Sequence, residues 1–271
     1  MKQSIFQIFY DEQSKGSISQ NFIALDNTKN SRPDWYEFWP MMNYLNSNIL
    51  DDNTWYGFLS PKFEIKSGFS SSFVVQVLDK YNDNFDVALF SGGWDQLSYF
   101  INPFEQGDMW HPGLQDLAQD FFNSINININ LKTLVTYSST SVFSNYIIAK
   151  KKYWIEWIKL ANLFFEAVEN KKISGITDTT SYGSILNQTP MKTFIQERFP
   201  SIILTQGGFN VLSFDRSQNL SIFERIFNTD ISTRRHLQTC NLLKEKYCLT
   251  GDIEYLRMFY KVRGDILLKK P

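Results

Sequence analysis

The chain has 271 residues, 27 Lys and Arg against 28 Asp and Glu, a formal net charge of -1, and 24 Phe, 13 Tyr and 7 Trp. That apolar and aromatic content supports a sizeable core and excludes global disorder, while the balanced charge lacks the basic footprint by which proteins hold nucleic acid. Two cysteines and two histidines exclude a Cys/His zinc site.

The apolar run Ile5–Tyr10 in "SIFQIFYDEQ" is short and rich in β-formers and stops at Asp11 and Glu12, the pattern of a buried first strand with acids at its carboxyl end. The same run is too interrupted by Gln for a signal-peptide core, and no stretch approaches 18 consecutive apolar residues, so a cytoplasmic chain without a membrane span is expected, with room for peripheral contact at the inner face of the membrane. Residues 13–33 are polar, and Asp34 is placed to cap a helix carrying Trp35, Phe38, Trp39 and Met42 on one side. A second strand is expected over Trp55–Leu59, ended by Pro61, then a helix capped by Ser70 or Ser71, then a third strand in "NFDVALFSGG".

The pattern then turns helical. A helix begins near Pro112, and a strand is expected over Leu131–Tyr137 after "NINININ", whose alternation suits an extended edge or a loop. A short strand, Asn145–Ala149, leads into a long amphipathic helix from about 151 to 169, whose Trp154, Trp157, Ala161 and Phe164 recur at helical spacing and read as core. "PMKTFIQERFPSIILT" reads as a helix with Pro190 in its first turn, and the tail 230–268 as two helices broken at Gly251. Cys240 and Cys248 fall in one such helix, roughly 12 Å apart, which is too far for a disulfide.

Strands alternating with helices predict an α/β fold with a mainly parallel sheet flanked by helices. Residues 1–229 form the main domain and 230–271 a helical extension. In such sheets ligands sit beyond the carboxyl ends of the strands, so "YDEQSKG", "SPKF" and "SGGWDQ" should face one crevice. The P-loop, the G-x-G-x-x-G turn, the G-x-S-x-G elbow and H-E-x-x-H are all missing, which removes support for ATPase, dinucleotide, hydrolase and zincin chemistry.

With "FYDEQ", "WYGFLSPKF", "FDVALFSGG", "SNYIIAKKKYWIEWIKL" and "MKTFIQERFPSIIL" in this order, the chain resembles bacterial GT-A-type glycosyltransferases of surface-polysaccharide synthesis. The resemblance implies a GT-A-like (Rossmann-like) fold and transfer of a sugar from a nucleotide-sugar donor to a cell-surface glycan, of lipopolysaccharide or capsule type, with a glycan or lipid-linked glycan as acceptor. It also implies that Tyr10 and Asp11 hold the nucleotide, through an aromatic face and a carboxylate. Metal-dependent members hold Mn²⁺ or Mg²⁺ with a D-x-D, which this chain lacks. Either another acid serves, Asp95 first, or a cation such as Lys62 replaces the metal at the leaving phosphate.

The remaining candidates each carry an ordinary structural alternative. Gly92 and Gly93 permit close backbone approach to a ligand, or simply turn the chain into a helix that Asp95 caps. Glu105, Asp108, Trp110 and His111 combine acid, aromatic and imidazole as sugar recognition requires, or form a helix-entry loop. Asn145 offers an amide to sugar hydroxyls or finishes a turn. Glu197, between apolar neighbours, suits a general base tuned by burial, as Asp95 and His111 could also be, or pairs with Arg198 as a structural node. The Lys150–Lys152 run suits peripheral contact with anionic lipid or a solvated helix start. Two other readings stay open: a metal-independent transferase of CMP-activated sugars, and a noncatalytic glycan-binding or assembly protein that keeps the fold.

Overall fold

A computed structural model of the protein describes residues 2–182, 184–214, 227 and 230–266. In chain order the elements are β1 (Gln3–Phe9), α1 (Glu12–Gly16), β2 (Ile23–Asp26), α2 (Phe38–Ser47), β3 (Trp55–Leu59), α3 (Phe63–Ser67), α4 (Ser71–Tyr81), β4 (Val87–Leu89), α5 (Trp94–Tyr99), α6 (Pro103–Trp110) and α7 (Leu114–Ser124). They continue with β5 (Ile147–Ala149), α8 (Lys151–Glu169), β6 (Thr179–Tyr182), β7 (Ser184–Pro190), α9 (Met191–Gln196), α10 (Phe199–Thr205), β8 (Val211–Leu212), α11 (Ile231–Thr250) and α12 (Ile253–Gly264).

Six strands form one sheet in the order β2-β1-β3-β5-β4-β8, and β6 and β7 form a separate antiparallel hairpin. Within the large sheet only β5 runs against its neighbours, so the fold is α/β with a mixed, mostly parallel sheet. Alternation along the strands sorts side chains onto two faces. Phe6, Ile8, Tyr56, Phe58, Ile147 and Ala149 pack with α2, α7, α8, α9 and α10, whereas Ile5, Trp55, Leu59, Ala88 and Ile148 pack with α3 and α4. Gly57 lies between Ile5 and Ile148, and a Cβ there would come within 2.8 Å of Ile148 Cγ1, which accounts for glycine inside a central strand. Tyr153, Trp154, Trp157 and Phe164 of α8 are buried in the larger core, with Trp154 Nε1 donating to the carbonyls of Tyr56 and Ala149 at 3.1 Å.

Several elements differ from the sequence expectation. Residues 131–137 form no strand. Asn102 Nδ2 donates to Leu131 O and Leu134 O, both at 2.8 Å, and Gln119 Oε1 accepts from Leu131 N at 2.8 Å. Side-chain amides thus satisfy a backbone that a neighbouring strand would otherwise pair. The "EQGDMWH" segment is the body of α6 rather than a loop, begun by an Asn102 cap that accepts from Phe104 N and Glu105 N. Asp34 does not cap α2: it lies in a 3-10 turn, Pro33–Trp35, and α2 starts at Phe38. The helix expected through Pro190–Thr205 is two helices, because Pro200 in the first turn of α10 has no N–H to continue α9. β2 is an exposed edge strand inside a stretch read as polar loop.

The tail helices α11 and α12 break at Gly251, which is left-handed with φ 71°. They pack on α5 through Trp94, Leu237, Cys240, Leu243 and Phe259. The sequence offers Phe223, Ile226, Phe227, Leu237 and Leu242 as apolar surface for this tail, and of these Phe223 and Ile226 lie outside the described residues. Among the described residues no helix is long and apolar enough to cross a membrane.

Candidate functional site

β1 lies between β2 and β3, so the chain leaves β1 toward one side of the sheet and returns past it to the other. The connections after β1 and β3 leave in opposite directions, and the carboxyl edge at such a switch point is where the crevice of α/β sheets binds ligands. Because β5 is reversed, its first residues reach the same edge and bring Asn145 and Tyr146 to it.

Gln7 holds this edge together. Its side chain is 1% exposed, donates to Ser60 O and Pro61 O at 3.2 Å, and accepts from Ser19 N at 2.7 Å. One amide thereby fixes the loops after α1 and β3 to β1. Beside it, the Ser60 and Tyr146 hydroxyls share a buried 2.8 Å hydrogen bond.

Five titratable groups from five segments meet electrostatically at this crevice: Tyr10 after β1, Glu37 before α2, Lys66 in α3, Tyr146 before β5 and Glu197 at the end of α9. Desolvation pushes the Glu37 carboxyl up to about 7, with the Lys66 ammonium pulling the other way. Desolvation also pushes Glu197 up to about 7, against Arg198 and Lys66 and together with Glu37. Both side chains keep some solvent contact, and neither accepts a hydrogen bond from a described residue. Carboxyls poised near neutral pH, with an ammonium acting on both, can accept or give a proton and stabilise developing negative charge. Burial raises the Tyr146 hydroxyl well above its ordinary range, with Glu37 and Glu197 adding to it.

Local structure explains how each acid is presented. Glu37 follows a turn clamped by ion pairs: Arg32 to Asp34 at 2.8 Å and to Glu169 at 2.7 Å, and the buried Lys192 to Asp34 at 2.7 Å. The last pair ties the Glu37 turn to α9, the helix that ends at Glu197. Glu197 itself stands at the α9–α10 break made by Pro200. Arg198 does not pair with it. The guanidinium is 3% exposed and donates to Pro103 O, Phe194 O and Gln106 Oε1 at 2.7, 2.6 and 2.7 Å. Gly107 leaves room for it, since a Cβ there would meet Arg198 Nη2 at 2.6 Å. Asn145 is 9% exposed, donates to Gln196 Oε1 at 3.3 Å, and leaves its buried Oδ1 without a donor.

Of the residues singled out in the sequence, Tyr10, Asn145 and Glu197 come together here. Asp11 caps α1, its Oδ1 accepting from Ser14 Oγ and from Ser14 N, both at 2.6 Å, which holds its carboxyl below the usual range. Lys62 is exposed at the start of α3. Gly93 is left-handed at φ 76°, and the space its Cβ would need is taken by the Phe143 ring, 2.3 Å away, so the backbone there approaches the chain itself; Gly92 is half-buried beside it. Asp95 is 1% exposed in the first turn of α5. Glu105 pairs with Arg263 of α12 at 2.9 Å, Asp108 accepts from Gly113 N and Gln115 N before α7, and Trp110 ends α6. His111 stacks on Phe194 with centroids 3.7 Å apart. Lys150–Lys152 sit at the opposite edge of the sheet: Lys150 donates to Asn82 O at 2.6 Å, Lys151 pairs with Asp52 at 3.0 Å, and Lys152 donates to Gly208 O.

Among the described residues no group of three or more His, Cys, Asp or Glu could hold a metal ion, and Asp95 gathers no such group around it. Glu37 and Lys66 escaped sequence reasoning because a helix-entry Glu and a short-helix Lys look like solvated surface. Their signal was position alone, after a Trp-Tyr pair and seven residues past the second strand's end.

Compared with known proteins, the chain matches no family model, no curated protein and no solved structure.

Proposed function

We propose that this chain is a glycosyltransferase that moves a sugar from a nucleotide-sugar donor to a cell-surface glycan acceptor in the crevice between the ends of β1, β3 and β5. The observation that carries the reading is the convergence of Glu37, Glu197 and Lys66 at that edge, with both carboxyls raised to about 7. Sugar transfer needs these parts. An acceptor hydroxyl attacks the anomeric carbon and gives its proton to a carboxylate, while the bond from that carbon to the phosphate oxygen breaks and the departing phosphate keeps the electron pair. Glu197 is the base in this scheme, Lys66 faces the departing phosphate, and Tyr10 and Asn145 contact the donor. The charge of Glu37 raises Glu197 further and keeps it a stronger base near neutral pH.

This scheme routes no step through a metal. The lysine in its place favours the metal-independent form of the reaction, including transfer from CMP-activated sugars, whose leaving group carries one phosphate.

Thermal stabilisation tests the reading: UDP-, GDP-, CMP- and dTDP-sugars, each with Mn²⁺ and with EDTA, against wild type and Lys66→Met. Binding to the native state raises apparent stability by mass action. The expected result is a shift by one nucleotide class, unaffected by EDTA and lost in Lys66→Met. No shift from any nucleotide-sugar overturns the proposal and favours a noncatalytic protein.

A further inference from the structure

Tyr36 stands one residue before Glu37 with φ 48° and ψ -130°, a backbone region that favours glycine because a Cβ crowds the flanking peptides. The surroundings enforce it. Trp35 is 2% exposed on one side and Phe38 1% on the other, and of the two residues between them Tyr36 is the one turned outward. Tyr36 N donates to Pro33 O at 3.2 Å, and Tyr36 O accepts from Asn30 Nδ2 at 3.3 Å. The ion pairs of Arg32, Asp34, Glu169 and Lys192 hold the turn from outside.

A glycine would satisfy all of this at lower cost, since both hydrogen bonds of residue 36 use main-chain atoms. The tyrosine ring does not repay the strain through the core. It is 46% exposed and stacks on no aromatic ring among the described residues. Strain of this kind concentrates where a side chain serves a ligand, and this one adjoins the acid that reaches Tyr10, Lys66, Tyr146 and Glu197 in charge terms.

We infer that Tyr36 is a ligand-contacting residue of the crevice, presenting its ring to the flat face of a bound ring, either the base or the sugar of the donor. This rests on the nucleotide-sugar reading above. It adds a residue that neither composition nor spacing marked, and it predicts an inverse relation between stability and binding at one position.

The test compares wild type, Tyr36→Gly and Tyr36→Phe by thermal unfolding, alone, with the nucleotide-sugar that stabilises wild type best, and with the matching free nucleotide. Tyr36→Gly should unfold about 2–4 °C higher without ligand, as relief of strain in a chain of this size would give, and bind the nucleotide-sugar about tenfold more weakly, as loss of one stacked ring would give. Tyr36→Phe should match wild type in both. Weakening shared by the free nucleotide puts the base on Tyr36; weakening confined to the nucleotide-sugar puts the sugar there. Wild-type affinity in Tyr36→Gly, or a lower unfolding temperature, overturns the inference while leaving the donor reading intact. A wild type that no nucleotide-sugar stabilises overturns the donor reading, and this assignment with it.

Discussion

Lys244 is fully buried in α11, where its Nζ donates to Leu97 O and Phe100 O, the last carbonyls of α5 and its cap, both at 2.6 Å. Burial pulls the ammonium down to about 7 from 10.5, with Cys240, Glu105 and Cys248 pulling up and Arg263 pulling down. A lysine with a lowered folded-state pKa destabilises the fold while it stays protonated, and this cost disappears between the folded and unfolded pKa values. Stability supplied by this residue should therefore rise from about pH 7 to about pH 10, a span worth about 4 kcal/mol. Replacing Lys244 by Met removes the buried charge but leaves two carbonyls without donors, at about 3 kcal/mol together. Lys244→Met should accordingly be about 1 kcal/mol more stable than wild type at pH 6 and about 3 kcal/mol less stable at pH 10, with the two curves crossing between. Urea unfolding followed by tryptophan fluorescence measures this directly, because Trp94 lies in the same cluster. Taking the difference between variant and wild type cancels the tyrosines and cysteines that also titrate at high pH. A difference that stays constant from pH 6 to pH 10 refutes the reasoning.

Two further substitutions probe the crevice and its support. Glu197→Gln should stabilise the protein above neutral pH: a carboxyl whose pKa is raised contributes stability below about pH 4.5 that is lost as pH rises through about 7. After allowance for the side chain's remaining solvent contact, the gain at pH 8 is about 2 kcal/mol, falling to nothing at pH 4, and chemical denaturation at both values checks it. Gly107→Ala should lower stability by about 3 kcal/mol, although alanine is the better helix former, because its Cβ collides with the Arg198 guanidinium; a neutral or stabilising result in a melting experiment would remove Arg198 from its place.

The strands that carry the crevice were legible because each is an apolar run with a sharp polar or Pro/Gly end: Asp11 after β1, Pro61 after β3, Gly92 and Gly93 after β4. Their shared edge followed from the alternation with helices. β2 and the 131–137 segment were not legible, since pairing is decided by which backbone lies alongside. β2 gained β1 as a neighbour, whereas Asn102, Gln115 and Gln119 reached 129–134 first. Glu197 stood out because apolar residues flank it, yet the helix break that presents it depends on Pro200. Glu105 and Asp108 have the right chemistry for a sugar, but tertiary packing turns them to an ion pair with Arg263 and a helix start. Glu37 and Lys66 come from segments 29 residues apart in sequence, and only the crossing of the chain over β1 brings them together.

Carboxyl titration by NMR on protein labelled at glutamate side-chain carbons tests the central claim most directly, because it reads each acid in the free protein without any donor. The account predicts two glutamates with midpoints near 7, one signal lost in Glu37→Gln and the other in Glu197→Gln, and the survivor moving down in each variant as its like-charged neighbour disappears. If both glutamates titrate in the ordinary carboxylate range, the crevice is not the desolvated site described, and the catalytic reading is contradicted.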